Sequence, residues 1–361
     1  MSFILFLLFS SLYWTVASNV IGTVSYVRTA PKRVFGLLYI LIWSLFIGSQ
    51  YNVGTDYESY MYIFNGNMLD FFDNQGEWVF TGAIKILNSM NLYGQIIFGI
   101  WAFITCGILI FLLFRVLNSN MLSIFFVVII TVPGLFNNQM NGIRQYIAVY
   151  VLTLSILYLL KSKWIYCALF VFIAFHIHAS AIFTIPIIGA MYFLRNTKSE
   201  KYLYICLIAS VLICLLFNAV SALEKYLEYL PIFNKTHLLH AEFEKKDISN
   251  LIRKLIYVPM FAYFISLINK IKVTEIQRQF YILGILGFCT KIAFLNISLV
   301  SRMGQYFEIL MCFPFALALM YARKHNSFVY MLILAFIVIF YFIKVVFFAV
   351  GEYAYDSVFF H

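Results

Sequence analysis

A chain of 361 residues that is 63% apolar, 20% aromatic and only 11% charged is not a soluble globule, whose water-facing surface needs about a quarter charged residues. Its 25 bases and 15 acids give a net charge of +10, but the bases are dispersed between apolar segments, which fits short membrane loops and argues against nucleic acid. The six cysteines stand singly inside apolar runs with no C-x-x-C pair, as packing residues do.

Taken in chain order, the first apolar run, Phe3 to Ile21, has no basic stretch ahead of it and reads as a retained helix rather than a cleaved signal. Further runs fall near 34–50, 94–114, 121–136, 146–160, 164–176, 180–194, 202–220, 254–269, 279–297, 303–321 and 327–349. At about 20 residues per crossing, they predict an all-α, polytopic integral membrane protein of about 12 transmembrane helices, one membrane domain over 1–361. With the N-terminus outside, the inner turns hold 14 of the 25 bases, from Arg28, Lys32 and Arg33 through Arg115, Lys161 and Lys163 to Arg323 and Lys324. Only Glu200 and Glu275 join them, the asymmetry the positive-inside bias requires. The stretch 78–92 reads as a re-entrant or surface-lying amphipathic helix, because a crossing there would turn every later basic loop outward. Two long outer regions remain, 51–93 and 221–253, the second with Pro231 and the mixed-charge stretch HAEFEKKD at 240–247. Long loops gathered on one face are where function concentrates.

Four outer clusters carry ionisable groups: Asn52 to Tyr57 with Tyr60, Asn141 to Gln145, His176 to Ala181, and Arg302 to Phe307. A charge placed in the bilayer costs upward of about 2.5 kcal/mol, so each needs a reason. Singly, each has a plain one. Arg144 or Arg302 can snorkel to headgroups, Asp56 can serve its turn, and a lone histidine can be a packing residue. Yet both arginines are expected at helix starts, where the dipole repels a cation. Four unrelated loops also deliver arginine, carboxylate and imidazole to one face.

The words GTDY-x-x-Y (54–60), Arg144-Gln145 after an Asn-rich turn, H-x-S-A (178–181) and Arg-x-x-x-Tyr-Phe (302–307) resemble the EpsG-like, Wzy-type polysaccharide polymerases of bacteria. Glu77 stands where that family places a glutamate after the GTDY loop, and the hydropathy agrees over nearly the whole chain. Two departures are visible: Ile177 replaces the phenylalanine common before the H-x-S-A histidine, and His176 is extra.

The resemblance implies a GT-C-like glycosyltransferase of the bacterial cytoplasmic membrane, working on its outer face. Donor and acceptor would both be glycans on undecaprenyl diphosphate, with a flippase and a chain-length regulator of the same pathway as companions. Expelling a diphosphate calls for cations on the leaving group, and the planar fork of arginine suits them, so Arg144 and Arg302 are expected to serve one diphosphate. The acceptor hydroxyl calls for a base or orienting acceptor, for which Asp56, Glu77 and His178 compete. The preference at this stage is Asp56 or Glu77, with His178 holding the pyrophosphate or the helix junction. Tyr57, Tyr60, Gln145, Ser180, Tyr306 and His176 are the expected substrate contacts. No metal or other cofactor is expected: there is no Asp-x-Asp pair, and no carboxylate or cysteine completes a site with His176 and His178.

Three other functions share parts of this pattern. A flippase for lipid-linked glycans would place charge through the midplane and show internal pseudo-symmetry. Lys291 alone lies within a span, where it reaches a cavity or snorkels outward. A ligase would use nearly the same chemistry, and a membrane acyltransferase would draw on His178 with a donor from the cytoplasm.

Overall fold

Every apolar run contains a helix in the computed structural model, which describes residues 1–24, 30–132, 134–216, 255–295 and 298–360. Among the described residues there is no strand, only one antiparallel bridge between Gln50 and Ser357. The expected region 221–253 lies outside the described residues. The chain divides into two units, Met1–Ile185 with Phe315–His361, and Pro186–Pro314.

The first unit is built on α1 (Ser2–Val24), α2 (Ala30–Gly48), α6 (Gln95–Val116), α7 (Leu122–Thr131), α9 (Ile143–Leu160), α10 (Trp164–Ile177) and α17 (Ser327–Val346). Its interior is aromatic. Trp14 stacks on Phe126 with centroids 5.0 Å apart, and the buried Tyr39 hydroxyl donates to Ser10 Oγ at 2.8 Å. α2 and α6 touch at glycine, since a Cβ on Gly48 would lie 2.6 Å from Gly99 Cα. Leu5, Leu8 and Leu12 on α1 and Phe328, Met331 and Leu332 on α17 are exposed, an apolar exterior suited to lipid.

The two ends of this unit differ in charge. At one end Lys32 Nζ donates to the Phe114 carbonyl at 3.2 Å, and Arg115 stands close enough to Lys32 and Lys161 to repel both. Arg144 lies at the other end of α9, about 25 Å away at 1.5 Å per residue. The C-terminus straps that second end: Tyr51 N–H donates to the Asp356 carbonyl at 3.0 Å and Val358 N–H to Ser49 at 2.9 Å. The basic turns and the motif loops therefore sit at opposite ends of the unit.

The region 51–93 is largely helical rather than open loop: α3 (Tyr57–Phe64), α4 (Leu69–Asn74) and α5 (Trp78–Ser89). α5 has 12 residues, about 18 Å, too short to cross a bilayer. It buries Phe80 and Ile84 and exposes Lys85 and Ile86, the amphipathic pattern expected for 78–92.

The second unit holds α12 (Glu200–Leu216), α13 (Val258–Leu267), α14 (Glu275–Ala293), α15 (Ser298–Gln305) and the first part of α16 (Glu308–His325). α14 opens with a capping box in which Thr274 and Gln277 satisfy each other's backbone N–H. It packs on α13 through Phe288, stacked 3.7 Å from Phe261.

The count of twelve crossings is not carried over. Among the described residues five helices are long and apolar enough to cross a membrane, six if the pair Ser119–Thr131 and Leu135–Asn141, bent by 53°, is one span. α10, at 14 residues, and α13, at 10, are too short alone, and α14 carries Glu275, Arg278 and Lys291.

Candidate active site

Three separate segments of the first unit meet at one carboxylate. Gly76, at φ +84°, turns the chain so that Glu77 precedes α5 with its side chain directed inward, 1% exposed. Its Oε1 accepts from His178 Nδ1 at 2.9 Å and from the Ala179 N–H at 3.1 Å, while Oε2 accepts from Arg144 Nη1. Burial alone would raise the Glu77 pKa, but the His178 hydrogen bond, the charges of Arg144 and His178 and the Ala179 N–H bring it below the usual carboxylate range. Glu77 is thus an ionised group with both oxygens engaged.

That ionisation fixes which partner donates. An ionised carboxylate only accepts, so Nδ1 is the donor of the shared hydrogen bond, and in the neutral ring Nε2 then carries the lone pair. Among the described residues nothing hydrogen-bonds Nε2. His178 holds the extended C-cap position of α10, with φ −148° and ψ 111°, ahead of a 3-10 turn over Ala179–Thr184. Ser180 lies half-buried in that turn.

Arg144 occupies the second position of α9, where the dipole disfavours a cation; the Glu77 charge offsets this. Its guanidinium lies 4.0 Å over the Phe72 ring and 5.6 Å from Phe80. Tyr60 hydrogen-bonds its side chain and accepts its backbone N–H at 3.3 Å, while Nε is left without a partner. Gln145 follows, half-buried.

Asp56 belongs to the same end. Its backbone N–H donates to Asn141 Oδ1 at 2.8 Å, and its carbonyl accepts the Tyr60 N–H at 2.9 Å. Its carboxylate accepts from Thr55 and makes no side-chain cap to α3. Gly54 is needed here twice over: its φ is +80°, and a Cβ would meet Asn141 Oδ1 at 2.4 Å. Asn141 thereby clasps the GTDY turn three residues before Arg144, a role that the Asn-rich turn hinted at but that needs the folded pairing to be seen.

Several expected substrate contacts are packed against protein side chains. The Tyr57 hydroxyl donates to Gln95 Oε1 at 2.8 Å and its ring stacks on Phe98; Tyr60 is buried against Phe64. Tyr306 is 0% exposed, so its ring has no face for a sugar. His176 turns its Nδ1 to the Gly76 carbonyl at 2.6 Å and its ring to Trp78 at 4.2 Å, bracing the residues on either side of Glu77. His176 and His178 thus have different partners.

In the second unit Arg302 is exposed in the last turn of α15 rather than opening a helix, because the chain breaks before Glu308 starts α16. There the dipole favours the cation. None of the six cysteines is in a disulfide, and four of them are buried.

No curated protein and no solved structure matches the chain. The family model described as EpsG family matches residues 33–357, a stretch that holds all four motif loops. The chain belongs to the EpsG family, which is Wzy-type polymerase-like.

Proposed function

We propose that this protein polymerises glycan repeat units carried on undecaprenyl diphosphate, at the outer face of a bacterial cytoplasmic membrane. The observation that carries the reading is the Glu77–His178–Arg144 cluster, which sets a directed imidazole and a held guanidinium in one site. Family membership supports the coarse activity, a polysaccharide polymerase-like glycosyl transfer.

The roles follow from the partners. His178 Nε2 takes the proton of the acceptor hydroxyl while that oxygen bonds to the anomeric carbon of the donor. The bond from that carbon to the diphosphate oxygen breaks, and the electron pair leaves with the diphosphate. Arg144 stabilises the charge that develops there through the donors that Glu77 does not occupy. Glu77 orients the imidazole and fixes its tautomer, as the carboxylate of a catalytic triad does. This assignment departs from the sequence-based preference for Asp56 or Glu77, because both Glu77 oxygens are engaged. Asp56 is left to orient the acceptor. Arg302 is proposed as a further diphosphate cation on its motif position.

The glycan profile of a deletion strain tests the reading. Single repeat units capping the outer lipid are the expected result. Free polymer never joined to its final lipid would identify a ligase, and lipid-linked repeats held on the cytoplasmic side would identify a flippase.

A further inference from the structure

Within the second unit α14 meets α15 and α16 along a seam with backbone in contact at three levels. A Cβ on Gly284 would lie 2.3 Å from the Leu310 carbonyl oxygen, and one on Gly287 would lie 2.9 Å from Phe307 Cβ. A Cβ on Gly304 would lie 2.9 Å from Lys291 Cα. Gly284, Gly287 and Lys291 share one helix face by their spacing of three and four. At the end of this seam Lys291 Nζ donates to the Glu308 carboxylate, with the residues 8% and 1% exposed. Each ion suits its helix end, Lys291 in the last turn of α14 and Glu308 in the first turn of α16. The lysine that the sequence leaves to a cavity or to snorkelling is therefore paired inside the protein.

A buried ion pair is a poor device for stability, since well-packed apolar residues of similar volume do as well or better. What it supplies is register: a seam made of glycine and apolar side chains slides more readily than one closed by a directed charge contact. Gly304, pressed against Lys291, lies two residues after Arg302 on α15. We infer that Lys291 and Glu308 are positioning residues, which set α15 on α14 and so hold Arg302 where it meets the diphosphate of a polyprenyl-linked donor. This rests on the reading of Arg302 as a diphosphate cation.

The test is the affinity of the detergent-solubilised full chain for undecaprenyl diphosphate, with thermal unfolding followed in parallel. The Lys291→Met/Glu308→Leu double variant is expected to unfold near the wild-type temperature yet bind about 10- to 100-fold more weakly, the effect of moving a contact group by about an ångström. Arg302→Ala should weaken binding similarly, and the triple variant should bind no more weakly than Arg302→Ala, because both changes act through one guanidinium. Wild-type affinity in the double variant, beside a weakened Arg302→Ala, overturns the positioning role alone. Wild-type affinity in Arg302→Ala removes the diphosphate reading of Arg302 and this inference with it. Should the double variant fail to fold, Gly304→Ala decides: it pushes α15 off Lys291 without touching a charge, so unchanged affinity there overturns the inference.

Discussion

Glu77→Gln is expected to lower the polymerisation rate by about three orders of magnitude and to destabilise the fold as well. The carboxamide can still accept from His178 through its oxygen, but its NH2 then faces Arg144 Nη1, donor against donor. Arg144 is left as a largely buried cation without its counter-charge, and breaking a buried pair from one side costs about 3–5 kcal/mol. His178 loses the charge that steadies the imidazolium formed when it takes a proton. Initial rates and melting temperature of the purified variant check both effects. The pH dependence gives a second check. The Glu77 pKa is depressed in the folded protein, so its stabilisation is present above the unfolded carboxylate value and is lost as pH falls through the lower, folded one. Wild-type stability should therefore persist down through the ordinary glutamate range, about pH 4.3, and fail below it; the variant should lack that limb. Unchanged rate and melting temperature in Glu77→Gln would mean that the carboxylate organises nothing.

Arg144→Lys is expected to lower kcat/KM for the lipid-linked donor by about 10²- to 10⁴-fold with the protein still folded. A lysine keeps the charge and can reach Glu77, so the buried carboxylate stays paired. It cannot at once satisfy Glu77 and Tyr60 and offer a planar pair of donors to phosphate. Its ammonium also lacks the flat face that lies 4.0 Å over Phe72. Losing two charge-assisted hydrogen bonds at about 1.5–3 kcal/mol each sets the scale. Steady-state kinetics on the purified variant read it, and near-normal kcat/KM would reduce Arg144 to a structural partner of Glu77.

Most of the helices were legible in the sequence because burial in lipid or core demands uninterrupted apolar runs, and each run contains a helix. Their lengths were not. Composition does not register where a turn cuts a run, so 303–321 reads as one element although α15 ends before Tyr306 and α16 starts at Glu308. That break moves Arg302 from a helix start to a helix end. The site was legible as a set, since short words at Glu77, Arg144 and His178 come from loops that meet at one end of the first unit. The division of labour within the set was not. Asp56, Glu77 and His178 compete on paper with the preference on the carboxylates, and the three hydrogen bonds into Glu77 are what favour the proposed exchange of roles. The tyrosines are ambiguous for a related reason: an aromatic ring beside a motif stacks on sugar or on protein with the same sequence signature. Here Tyr57 has Phe98, Tyr60 has Phe64, and Tyr306 is wholly enclosed.

Polymerisation of purified lipid-linked repeat units by wild type, His178→Gln and Asp56→Asn tests the central claim most directly. Glutamine can replace the Nδ1 hydrogen bond to Glu77 but has no basic nitrogen to offer in place of Nε2. Asparagine at a position held through its backbone by Asn141 should leave the GTDY turn in place. The account predicts a ladder of polymer from wild type, a reduced but substantial ladder from Asp56→Asn, and near-silence from folded His178→Gln. Substantial polymer from His178→Gln together with silence from Asp56→Asn would contradict it and make Asp56 the base.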